Sequence, residues 1–141
     1  MECVTKKKPK LVNNTTKTTK TPKTLIDAII QVESGGDINA VGDKHLKDWA
    51  YGCMQIRQPM VDDVNKRFLS KYKAQDCLGN KALSIDIFNK YFEIYNFNKT
   101  DEARARAWNG GAGWKSIYGK KGYEKYSKNI DDYWAKIKVL L

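Results

Sequence analysis

Glu33 closes an apolar stretch, following Ile29, Ile30 and Val32, and is itself followed at once by Ser34-Gly35-Gly36. A carboxyl in the last turn of an apolar helix faces the negative end of the helix dipole and loses part of its hydration. Both effects disfavour the ionised form. The position therefore predicts a raised pKa and a side chain that keeps its proton near neutral pH, which is what general-acid cleavage of a glycosidic bond requires. On position alone the alternative is an ordinary surface Glu at a frayed helix end. Other chemistry finds less support. The single histidine, His45, and the lack of a His/Cys cluster at metal-ligand spacing predict no metal site, and nothing points to a cofactor. A Cys53–His45 nucleophile pair is weakened by the apolar neighbours of Cys53, which make a buried structural thiol the expectation. Lys44 and Lys47 mark His45 as a solvated loop residue. Gly35-Gly36 and Gly110-Gly111 both follow helical stretches and read as helix stops, not as phosphate-binding loops.

Two further segments change the weight given to Glu33. Glu33-Ser34 is followed by Tyr51-Gly52-Cys53-Met54-Gln55-Ile56 and then by Ala107-Trp108-Asn109-Gly110-Gly111. This order and spacing resembles the lysozyme-like superfamily, in particular the SLT-type lytic transglycosylases and the related goose-type lysozymes. Their patterns are Glu-Ser at the end of a core helix, Gly-Leu-Met-Gln-Ile or -Val, and Ala-Tyr-Asn-Ala-Gly. The resemblance spans roughly residues 24–137. It implies Glu33 as the catalytic acid and Ser34 as the residue that follows it in the motif. It implies Met54 and Gln55 as the floor of a glycan cleft, and Asn109 and Gly110 as the segment facing the acid. Tyr126 falls where these domains often carry a Tyr in the final helix. The implied substrate is the β-1,4 bond between N-acetylmuramic acid and N-acetylglucosamine in peptidoglycan.

The departures from the pattern are informative. Trp108 stands where the family has a Tyr, so a hydroxyl able to reach the catalytic carboxyl is missing from that position; the indole either stacks on a sugar face or fills the core. Cys53 replaces a Leu, a change a core absorbs. The resemblance also leaves two reactions open. A lytic transglycosylase uses one Glu as acid and then base and forms a 1,6-anhydro end. A goose-type lysozyme adds Asp residues that position a water for inverting hydrolysis. Asp43, in Gly42-Asp43, and Asp48 are the water-positioning candidates, whereas Arg57 stands where the goose-type pattern has a further Asp. The expected activity is the transglycosylase, with the inverting muramidase as the alternative. A non-catalytic basic glycan- or nucleic-acid-binding module is the competing reading from another class.

These residues need helices to hold them. Thr24 with Asp27 caps a helix that runs to Gly35; Pro59 opens a second, with Met60, Val61, Val64, Phe68, Leu69 and Tyr72 along one side. Asn80 caps a third and Thr100 a fourth, in which Arg104 and Arg106 complement the macrodipole and Ala103, Ala105 and Ala107 suit close packing. A fifth starts near Tyr123, with Tyr126, Ile130, Tyr133 or Trp134 and Ile137 as its stripe. No alternating strand pattern of useful length is present. The fold class expected is mainly α, a single lysozyme-like helical domain over residues 24–141 with a short irregular loop region.

Residues 1–23 differ in kind. They hold seven lysines and one acid, so about +6 of the chain's net +10 lies there, in a Lys/Thr-rich stretch with little to bury. They are expected to form a disordered or extended basic tail or tether, and a virion protein is one partner such a tail would reach. Glycan strands of peptidoglycan are the expected main partner, and nucleic acid is not. No apolar run approaches the roughly 20 residues of a membrane span. No signal peptide is read at Met1–Lys6. A wall-cleaving enzyme without one fits a phage product, carried in the virion or held in the host cytoplasm before release as an endolysin. Three cysteines, Cys3, Cys53 and Cys77, read as reduced thiols.

Overall fold

The computed structural model describes residues 24–95 and 100–141. The expected basic tail of residues 1–23, and with it the virion tether, lies outside the described residues. Five helices dominate: α1 (Leu25–Ser34), α2 (Gln58–Phe68), α3 (Lys81–Ile94), α4 (Asp101–Gly110) and α5 (Glu124–Lys138). Between α1 and α2 lies a two-residue antiparallel pair, β1 (Val41–Gly42) with β2 (Ala50–Tyr51), in which Val41 pairs with Tyr51 and Gly42 with Ala50. Sequence periodicity misses this pair because two residues are too few to alternate.

Three of the helix starts follow from local chemistry. The side chains of Thr24, Asn80 and Thr100 accept hydrogen bonds from the backbone N–H groups of Asp27, Leu83 and Ala103, at 3.0–3.1 Å. Each satisfies a donor that the first turn of a helix leaves without a partner. At the other end of α1, Gly35 takes the left-handed conformation at φ 64° and returns its N–H to the Gln31 carbonyl. That turn stops the helix one residue beyond Glu33-Ser34.

The core gathers α1, α3, α4 and α5 around Ile29, Met54, Ile87, Ala105, Ala107 and Ile137, all fully enclosed. Burying a side chain such as Ile29 contributes about 1.5–3 kcal/mol relative to leaving it exposed. α4 packs on α5 and also on α1, and α1 reaches α5, so the C-terminal helix touches the helix that carries Glu33. The small alanines of α4 permit that approach. At Gly110 a side chain would collide with Ile130 of α5.

Two expectations need correction. α2 stops at Phe68, short of the predicted Leu69 and Tyr72. Leu69 turns left-handed and is 90% exposed. Asn65 takes over, its side chain bonding the Tyr72 backbone N–H and carbonyl and the Ser70 hydroxyl at 2.7–2.9 Å. A side chain that satisfies three loop groups at once outweighs continuing the helix. Arg106 does not serve the end of α4; it pairs with Glu102 at 2.9 Å and with Asp131 of α5 at 2.7 Å. No helix among the described residues is long and apolar enough to cross a membrane.

Candidate active site

Glu33 falls on the buried stripe of α1, one turn after Ile29 and Ile30, so its side chain is directed between helices and not into solvent. It lies half-buried at the wall of a cleft of about 290 Å³ lined also by Asp43, Gln55, Arg57, Met60, Trp108 and Asn109. Three separated segments supply this lining: α1, the loop and turn from residue 43 to the start of α2, and the end of α4. Burial pushes the Glu33 carboxyl up from its ordinary value of 4.5 to about 7, with the negative charge of Asp43 acting in the same direction.

One hydrogen bond works against that rise. The Tyr133 hydroxyl, on α5 and 100 residues away in sequence, donates to Glu33 Oε2 at 2.8 Å. Tyr133 is itself buried, and burial together with the Glu33 charge raises its pKa, so it stays a donor across the working pH range. The hydroxyl missing at Trp108 is thus supplied from a different helix. The sequence places Tyr133 on the buried stripe of α5 but carries no signal of its partner. The only cue is that Tyr126, Ile130, Tyr133 and Ile137 share one helical face.

Tyr133→Phe is expected to shift the alkaline limb of the pH–rate profile upward. The lost hydrogen bond favoured the ionised carboxylate, so removing it raises the Glu33 pKa further above 7. Hydrogen bonds to charged groups contribute about 1.5–3 kcal/mol, equivalent to one to two pH units. A pH–kcat/KM profile of the two proteins measures it.

The other residues singled out from sequence divide into two groups. Gln55, Trp108, Asn109 and Asp43 come together with Glu33 at the cleft. Gln55 sits at φ 55°, its Nε2 donating to the Gly52 carbonyl at 3.1 Å and aimed at the Ala40 carbonyl at 3.4 Å. Its Oε1 occupies the space where a Cβ at residue 42 would stand, which explains Gly42. Trp108 is 7% exposed and packs on Phe88 at a ring separation of 4.9 Å, so of the two sequence readings core filling is the one its burial supports.

The second group is turned away from the cleft. Met54 is wholly buried. The Ser34 hydroxyl lies 2.8 Å from the Cys53 carbonyl and 3.1 Å from the Ile30 carbonyl, and accepts from Gly36 N–H at 3.2 Å. It ties the end of α1 to the turn that carries Gln55. Gly110 packs against Ile130, and its carbonyl accepts the Tyr126 hydroxyl at 2.6 Å, which ties the end of α4 to α5. Asp48 is not brought to the Glu33 cleft; it lines a separate cavity with Trp49 and Tyr51. Arg57 and Met60, which the sequence reading did not count among the binding residues, do line the cleft.

Asp43 occupies a left-handed backbone position at φ 57°, and its Oδ2 lies 3.6 Å from Arg57 Nη1. The Cys53 and Cys77 side chains are buried, and His45 is exposed on the loop. Among the described residues no three His, Cys, Asp or Glu side chains come together to hold a metal ion.

A half-buried acid with a pKa near neutrality, set in a cleft on a helical frame, is the arrangement that general-acid chemistry requires. The transglycosylase SLT domain model matches residues 10–131, and the chain belongs to that family. Its activity is accordingly of the lytic transglycosylase type, directed at peptidoglycan. No curated protein and no solved structure matches the chain.

Proposed function

We propose that the protein cleaves the bond between N-acetylmuramic acid and N-acetylglucosamine with Glu33 as its one essential proton-transfer group, leaving a 1,6-anhydro end. The observation that carries this reading is the Glu33 carboxyl at the cleft wall, brought to a pKa of about 7 by burial and held by Tyr133. Protonated Glu33 gives its proton to the glycosidic oxygen as the C1–O bond breaks, and positive charge develops at C1 of the muramyl residue. The resulting carboxylate takes the proton of the C6 hydroxyl of that same residue as its oxygen bonds to C1. The acid is regenerated and no water is consumed. Gln55, Trp108 and Asn109 form the walls against which the sugar is placed. Ser34, Met54, Gly110 and Tyr126 act through those walls, by holding the turn and the end of α4 in position.

Hydrolysis is the second reading, and one observation favours it: Asp43 shares the cleft with Glu33. Arg57 opposes it, because the guanidinium beside Asp43 Oδ2 competes for the same carboxylate. Mass spectrometry of the sugar ends released from purified peptidoglycan separates the two. Anhydro ends, with Asp43→Asn retaining most of the activity, are the expected result. Reducing ends, with Asp43→Asn as damaging as loss of Glu33, would establish the inverting muramidase instead.

A further inference from the structure

A second cavity, of about 520 Å³, lies apart from the Glu33 cleft. It is lined by Lys47, Asp48, Trp49, Tyr51, Lys73 and Gln75, together with Gln58 and Ala74, and its volume is within the range of small-ligand sites. Trp49 is 41% exposed here, beside Tyr51 at a ring separation of 6.4 Å. Its ring also carries the Lys44 ammonium, 5.8 Å from the centroid. Gln58 is spent on structure: its Oε1 accepts from Ala74 N–H and its Nε2 donates to Asp62, both at 2.8 Å. Lys47, Lys73 and Asp48 form no ion pair among the described residues. The cavity therefore presents two ammonium groups, one carboxylate and an aromatic wall to solvent.

Its position relates it to the catalytic cleft. Tyr51 and Ile56 exchange backbone hydrogen bonds at 2.9 and 3.0 Å, closing the turn whose Gln55 lines the Glu33 cleft while Tyr51 lines this cavity. Arg57 and Gln58, consecutive at the start of α2, divide between the two in the same way. The same turn and the start of α2 thus line both cavities.

We infer that this second cavity binds the peptide stem of the wall polymer, a short peptide bearing both carboxylates and an amine. The inference rests on the reading that the protein acts on peptidoglycan. The charges select the ligand. The N-acetylated sugars of the strand are neutral, and the lactyl carboxyl of muramic acid is consumed in its amide to the stem. Ionised groups near the scissile bond therefore belong to the peptide. A purely anionic wall polymer would meet Asp48 as a repulsive neighbour, whereas a stem with a free amine on its diamino acid pairs with it, leaving Lys47 and Lys73 for the carboxylates. Trp49 and Tyr51 give the aliphatic parts of the stem an apolar surface.

The test uses the full chain and two variants at exposed positions, Trp49→Ala and Lys73→Glu, each checked for an unchanged thermal midpoint. Calorimetric titration with a soluble stem tetrapeptide containing a free diamino-acid amine is expected to show binding to the wild type. Each variant should weaken it about tenfold. On strands, kcat/KM for peptide-bearing peptidoglycan should fall similarly, while strands stripped of peptide by an amidase are cleaved as by wild type. Absence of peptide binding by the wild type, or equal losses on stripped strands, would overturn the inference; the second outcome would make the cavity a sugar subsite. Competition by teichoic acid but not by the stem peptide would overturn it in favour of a polyanion site. An inactive wild type that still binds the peptide would refute the catalytic reading and leave this one standing.

Discussion

Glu33→Gln is expected to lower peptidoglycan cleavage by at least about 10²–10⁴-fold, the usual cost of losing a general acid, with a larger loss where the same group also serves as the base. The amide keeps the shape of the carboxyl and its contact with the Tyr133 hydroxyl, but it has no proton to give to the glycosidic oxygen. Folding is retained, and stability responds to pH in a definite direction. In the folded protein the carboxyl stays protonated to about pH 7, whereas its ordinary value is 4.5. The wild type therefore has its full stability below about pH 4.5 and loses part of it as the pH rises through 7, where the buried group must ionise. Glu33→Gln has no such loss. At pH 8 it should gain on the wild type by on the order of 1–3 kcal/mol relative to the difference at pH 4. Turbidity clearing of purified walls and denaturant unfolding at the two pH values measure both effects. Full lytic activity in the variant would remove Glu33 from the mechanism, whereas a wild type without lytic activity would return the chain to the class of basic binding modules.

Trp108→Ala is expected to be the most destabilising single change at the cleft, by about 3–5 kcal/mol, the range for truncating a buried aromatic. Its ring contacts Phe88 at 4.9 Å, Phe92 at 6.2 Å and Tyr91 at 6.3 Å, so the deletion opens a cavity where α3 meets α4. The loss should appear as a lowered denaturant midpoint with an unchanged slope. Activity should fall with it, because the neighbouring Asn109 depends on the same end of α4. Trp108→Phe keeps most of the packed area and should recover most of the stability. A Trp108→Ala protein of wild-type stability with weakened glycan binding would instead make the indole a sugar-stacking surface.

The elements that were legible in the sequence are those set by local chemistry. Thr24, Asn80 and Thr100 are N-caps because their side-chain oxygens reach backbone N–H groups three residues on, whatever the rest of the chain does. The raised pKa of Glu33 was legible for a similar reason: its place one turn after Ile29 and Ile30 commits it to the buried face of its own helix. The family motifs marked Gln55, Trp108 and Asn109, and these do share the cleft with Glu33. The extent of α2 was not legible, since the Asn65 side chain competes with the helix through loop groups that an apolar period does not register.

What only the tertiary structure decided are relations between segments far apart in the chain. Helical spacing puts Tyr133 on the inner face of α5, but whether its hydroxyl meets a carboxyl or another side chain depends on how α5 crosses α1. Of the two loop acids, Asp43 reaches the cleft and Asp48 does not: Asp43 turns left-handed directly after β1, and Asp48 lies at the far end of the loop, just before β2. Ser34 and Met54, adjacent in sequence to residues at the cleft, are spent on holding it: neighbours in a helix or turn point in different directions, and the packing selects which one meets the ligand. The sequence by itself determined the capped helix starts and the place of Glu33 on the buried face of α1, which depend on contacts within a few residues. Which hydroxyl, which aspartate and which aromatic stand beside that acid was left to long-range packing, whose geometry no local spacing contains.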